Sequence, residues 1–176
     1  MCIRDRSKDI IFQKGRFLNV FREDDRGSKS IIQFINQIEP DFSFLVQAVF
    51  FARWCNRQET LDKLKPEILK DPDELFHFLR KINPWCNETA YPVEPILWSN
   101  MKYSRLDAAT KIFHLAKKKL ASIIISSNGS VVDAVDRINN IFKMKNDFPI
   151  FMAVMDIAWF RPCLLYTSDA ADDPTC

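Results

Sequence analysis

Eleven consecutive residues, Phe42 to Ala52, include nine apolar side chains, broken only by Ser43 and Gln47. A helix that is apolar on nearly every side cannot lie on a surface, because no orientation hides enough of it; other elements must surround it. The stretch is about half of the roughly 20 residues that a membrane-spanning helix requires. It is therefore predicted to be the central buried helix of a core, running from Phe42 to about Arg57 with Asp41 as its N-cap. The 176 residues suit about one domain.

The rest of the chain repeats the helical period, and no segment alternates at period two for long, so the expected class is all-α. Ile31, Ile32, Phe34, Ile35 and Ile38 form a stripe that ends before Pro40. Pro66 opens a short helix, and Asp71-Pro72-Asp73-Glu74 places acids and a first-turn proline ahead of Leu75, Phe76, Phe78, Leu79 and Ile82. Residues 83–100 break the pattern with Pro84, Pro92 and Pro95, a long connection that carries Trp85, Tyr91 and Trp98; loops of this length in a compact domain are often functional. Ser104 and Asp107 make a capping-box-like start for a long amphipathic helix. Asn128-Gly129 stops it, Ser130 caps the next helix, and the last helix starts near Pro149 and runs to about Phe160.

The two ends read differently. Met1-Cys2-Ile3-Arg4-Asp5 can be coded ATG TGT ATA AGA GAC, whose reverse complement, shifted by one frame behind a T, reads Cys-Leu-Leu-Tyr-Thr, the string at Cys163 to Thr167. Both ends resemble translated sequencing-adapter sequence. Residues 1–6 and 163–176 are thus expected to be artefact, and residues 7–162 a helical domain open at both ends. Within 7–162 there are 23 basic and 19 acidic residues, too small an excess to argue nucleic acid by itself. Two cysteines, Cys55 and Cys86, beside His77 and His114 make neither a disulfide framework nor a four-ligand zinc site. No metal or cofactor is expected, and a reduced, intracellular setting is the default.

Two polar clusters share one spacing. Arg53, Asn56, Arg57 and Thr60 fall at i, i+3, i+4 and i+7 and form one helix face. Arg22, Asp25, Arg26 and Lys29, preceded by Asn19, repeat the spacing, though Gly27 weakens a helix there. Guanidiniums so near a core need acceptors: a carboxylate, backbone carbonyls or a phosphate. Solvated faces, or structural ion pairs with Asp24, Asp25 and Glu59, would also account for them. Asp156, alone on an apolar helix, is either a partnered structural carboxylate or an active-site acid. Lys117, Lys118 and Lys119, with Lys111 and Lys102, either follow a nucleic-acid backbone or form a solvated face. There is no phosphate loop, dinucleotide fingerprint or Ser-His-Asp order.

The string from Arg16 to Arg26 (RFLNVFREDDR), followed some 30 residues later by Arg53 to Thr60 (RWCNRQET), resembles the α-glutamyl/putrescinyl thymine pyrophosphorylases and the related helical domains that accompany 5-hydroxymethyluracil DNA kinases. The Tyr91 region and Phe151 to Trp159 are similar as well. The resemblance implies a fold like that of helix-hairpin-helix DNA glycosylases, acting on a hypermodified thymine extruded from DNA, with a fused or associated kinase domain as a further partner. It implies Asn19, Arg22, Asp25, Arg26, Arg53, Asn56 and Thr60 as the pocket for the base or its phosphoryl group, and Arg57 and Tyr91 are taken with them as substrate-binding residues. It places the catalytic acid beyond the second hairpin helix, expected after residue 162, with Asp156 and Asp25 as substitute candidates. Asn146-Asp147-Phe148-Pro149 departs from a glycosylase hairpin, since it has no glycine and its proline lacks an amide donor. Two rivals remain: a noncatalytic module beside a kinase, and a plain helical interaction domain in which Arg53 and Arg57 are occupied by Glu59 and Asp62 with no cleft.

Overall fold

The structure, a computed structural model, describes residues 26–38, 41–89, 95–161 and 165–166, and it is mostly helical. Its centre is helix α2 (Phe42–Cys55), in which every residue from Phe44 to Cys55 is buried. The Asp41 side chain accepts the Ser43 N–H at 3.0 Å and so starts the helix. Gln47, the polar exception within the apolar run, is accommodated because its Nε2 donates to the Leu69 carbonyl at 2.6 Å. That bond ties α2 to a 3-10 turn at Pro66–Lys70.

The surrounding helices come from both sides of the sequence. Helix α1 (Arg26–Ile35) runs through Gly27 without interruption and lays Ile31, Phe34 and Ile35 against α2. After the short α3 (Gln58–Leu61), α4 (Pro72–Arg80) begins where Asp71 accepts the Asp73 and Glu74 amides, and it buries Leu75 and Leu79. Ser104 caps the next helix as the sequence predicts, accepting from the Asp107 amide at 3.1 Å and donating to its carboxylate at 2.6 Å. That helix comprises α5 (Arg105–Asp107), a π turn (Ala108–Ile112) and α6 (Phe113–Ser126). Ser130 caps α7 (Val131–Phe142), and α8 (Phe148–Phe160) follows. Helices α6 and α8 pack along α2. No helix among the described residues is long and apolar enough to cross a membrane.

Three expectations are corrected. The central helix stops at Cys55 rather than near Arg57, because Asn56 turns left-handed (φ 43°, ψ 40°) and its N–H closes on the Ala52 carbonyl. The 83–100 connection ends in the first strand of an antiparallel hairpin, β1 (Ile96–Trp98), which pairs with β2 (Met101–Tyr103) just beyond it, Ile96 with Tyr103 and Trp98 with Met101. Strands of three residues are too short to show alternation. The π turn, whose Thr110 hydroxyl donates to the Leu106 carbonyl at 3.0 Å, leaves no mark in the hydrophobic spacing. A two-residue parallel bridge also joins β3 (Gly129–Ser130) to β4 (Leu165–Tyr166), the latter within the adapter-like stretch.

Candidate functional site

The end of α2 is the most elaborated point of the described structure. Its last carbonyls are claimed by groups from later in the chain. The Arg105 guanidinium donates to the Trp54 carbonyl (Nε at 3.0 Å) and the Asn87 N–H to the Cys55 carbonyl at 2.8 Å, while in the other direction the Cys55 thiol donates to the Trp85 carbonyl at 3.1 Å. These bonds hold the 84–89 loop opposite residues 56–59. Between the two lies an open groove of about 470 Å³, walled by Asn56, Arg57 and Glu59 on one side and by Cys86, Asn87, Glu88 and Thr89 on the other. The Asn87 carboxamide oxygen accepts both the N–H (3.0 Å) and the hydroxyl (3.1 Å) of Thr89, which fixes that wall locally.

Because the helix ends at Cys55, the predicted single face of Arg53, Asn56, Arg57 and Thr60 does not exist. Asn56 and Arg57 line the groove, whereas Arg53 (2 % exposed) and Thr60 (0 %) are buried. Arg57, in extended conformation, pairs with Glu59. The hydrogen bond from Arg57 and its charge hold the Glu59 carboxyl below the ordinary carboxylate range.

Arg53 and Asp156, two separate candidates in the sequence, meet each other. The guanidinium Nε and Nη2 each donate to one oxygen of the carboxylate, the latter at 2.8 Å, and Nη2 also reaches the Ser28 hydroxyl at 3.2 Å. Asp156 is only 4 % exposed. A planar fork against a carboxylate is the geometry best able to offset the desolvation of both charges. The group joins α1, α2 and α8, and Arg53 lies three residues before Asn56 of the groove wall.

Asn19, Arg22, Asp25 and Tyr91 lie outside the described residues, as does the Arg26 side chain, whose backbone opens α1. The three lysines of the triplet have different surroundings. Lys119 places its Nζ 5.7 Å from the centroid of the Trp98 ring. Lys117 instead faces His114, which burial first and the Lys117 charge second hold below the ordinary histidine range. Lys118 is exposed. The groove residues that sequence reasoning missed, Cys86, Asn87, Glu88 and Thr89, sit in the connection between helices, where no periodicity speaks. The available signal was the Asn-x-Thr turn just ahead of Tyr91.

Burial pushes the Cys55 thiol up to about 12, and burial also raises Cys86. Thiols in this state are neutral and poor nucleophiles. Cys55 is therefore expected to resist iodoacetamide in the native chain at pH 8 and to react readily once the chain is unfolded, read by mass mapping. A raised folded value stabilises the fold fully below the unfolded thiol's pKa, and that contribution is lost as pH rises from about 8.5 toward 12. Urea midpoints should fall across that window, and less so in Cys55→Ala.

Among the described residues no group of three or more His, Cys, Asp or Glu side chains is placed to hold a metal ion. No family model, curated protein or solved structure matches this chain.

Proposed function

We propose that this helical domain recognises a hypermodified thymine in DNA, in the manner of a helix-hairpin-helix glycosylase fold, and holds the base in the groove at the end of α2. The observation that carries the reading is that Asn56 and Arg57, from the more specific strings of the resemblance, stand on the wall of that groove. Facing them, the Asn87 amide and the Thr89 hydroxyl add donors and acceptors of the kind that read a pyrimidine edge. The Arg57 side chain is 28 % exposed, so its guanidinium can exchange Glu59 for a base carbonyl or a phosphoryl oxygen. Arg53 and Asp156 support this wall as positioning residues. The pairing of both arginines with carboxylates favours recognition over catalysis, and the chemistry then falls to an associated kinase domain.

The test is fluorescence anisotropy with a single-stranded oligonucleotide carrying one 5-hydroxymethyluracil and with its thymine counterpart. Tighter binding of the modified strand, about tenfold or more as one good bidentate contact allows, is expected for the parent chain. Arg57→Ala should abolish the preference. Asn56→Gly keeps the left-handed backbone, removes the amide, and should reduce it. Equal affinity of the parent chain for both strands would overturn the reading.

A further inference from the structure

A second groove, of about 320 Å³, lies between the β1–β2 turn and helices α6 and α7. Its lining includes Trp98, Asn100, Lys119, Asn140 and Lys143, with two cations and no acid. Its size is at the small end of the roughly 300–1,000 Å³ of ligand pockets. Trp98 packs on Phe142 of the core, with ring centroids 6.1 Å apart, and Lys119 stands over the same indole. The groove thus has an aromatic ring held from behind, an exposed, flexible lysine over that ring that a stacking base would displace toward its phosphate, and two carboxamides in its lining.

The backbone around it is unusual. Ser99 (φ 49°) and Asn100 (φ 63°) both adopt left-handed conformations in the hairpin turn, and Lys143 (φ 51°) adopts one just past α7. Such positions favour glycine or asparagine, and a lysine there is retained at a cost in stability. Its N–H closes on the Asn139 carbonyl at 2.7 Å, and its charge offsets the partial negative end of α7. A glycine would make the same backbone bond with less strain, so what the lysine adds at this position is its side chain and charge, beside the groove.

We propose that this groove binds a phosphodiester segment of single-stranded nucleic acid, with Lys119 and Lys143 on the phosphates, a base against Trp98, and Asn100 and Asn140 at the base edge. The combination of an aromatic platform and a cationic groove is the general chemistry of sequence-tolerant strand binding. The inference shares with the reading above only a nucleic-acid partner. It concerns other residues and needs no modified base.

The test measures binding of fluorescein-labelled dT20 and rU20, both unmodified, by the full chain across a series of salt concentrations. Lys119→Ala and Lys143→Gly together are expected to weaken binding tenfold or more. The slope of log K against log salt should become shallower by about 1.4, since each phosphate contact on a single strand contributes about 0.7. Lys143→Gly alone should raise the melting temperature while weakening binding, a split that a purely structural role would not produce. Lys117→Ala, on the other side of α6, should leave the slope unchanged. The two oligonucleotides distinguish a DNA from an RNA strand. Failure of the parent chain to bind either at low salt, or parent-like slopes in the Lys119 and Lys143 variants, would overturn the proposal. Neither result depends on the modified-base preference, so the two readings fail separately.

Discussion

Replacing Asp156 with alanine is expected to destabilise the fold by about 3–5 kcal/mol, because it removes the carboxylate that faces a buried guanidinium and leaves the desolvation of Arg53 without that compensation. Total stabilities of domains lie near 5–15 kcal/mol, so urea unfolding should show a large part of the folded margin gone. The reverse change, Arg53→Met, strands the carboxylate instead and should cost a comparable amount. Joining Arg53→Met with Asp156→Leu is expected to recover most of the loss, as well-packed apolar replacements of buried ion pairs do. A loss below about 1 kcal/mol for Asp156→Ala would show that the pair contributes little. If Asp156 were instead an active-site acid, Asp156→Asn would leave the urea midpoint nearly in place and remove turnover.

The pair matters for the groove through its position in the chain. Arg53 is three residues before Asn56 and four before Arg57, and between them the helix ends in a left-handed residue. Anchoring Arg53 to α8 and to Ser28 of α1 fixes the last turn of α2, and with it the direction in which Asn56 and Arg57 leave the core. A site needs such support because first-contact groups are useful only when their own orientation is held.

The sequence located the elements better than the geometry at their ends. Asp41, Asp71, Ser104 and Ser130 announce helix starts through local chemistry, and the structure uses all four as caps. The buried α2 followed from composition alone, because an all-round apolar helix has only one place to go. What spacing could not show was the left-handed stop at Asn56, since helical periodicity continues on paper through Thr60 while the backbone does not. Nor could it pair Arg53 with Asp156, 103 residues apart; it supplied a guanidinium needing an acceptor and an acid needing a partner, without a rule that joins them. The second groove was hidden for a related reason. Trp98 stands on β1, Lys119 on α6 and Lys143 just past α7, and each alone reads as ordinary core or surface.

Phe50→Ala is the second large effect expected, a loss of about 3–5 kcal/mol. Phe50 is fully buried in α2, where its ring meets Trp54 (6.3 Å between centroids), Phe113 (5.6 Å) and Phe142 (6.4 Å). Phe113 and Phe142 also touch each other, and Trp54 meets Phe113 edge-on at 4.9 Å. Removing the central ring leaves a cavity whose lining belongs to α2, α6 and α7. Rings at fixed backbone positions on three helices cannot collapse into it without moving those helices, which puts the cost toward the upper part of the range. Phe50→Leu, which keeps part of the volume, should lose about 1–2 kcal/mol. Denaturant midpoints give the energies, and near-ultraviolet circular dichroism gives the location. Because Phe142 also supports Trp98, Phe50→Ala should alter the tryptophan signal beyond Trp54 alone, and pairing it with Trp98→Phe isolates the share carried outward. A loss under 2 kcal/mol with an unchanged aromatic spectrum would mean that the cluster repacks, and that the platform of the second groove is not held rigidly from the core.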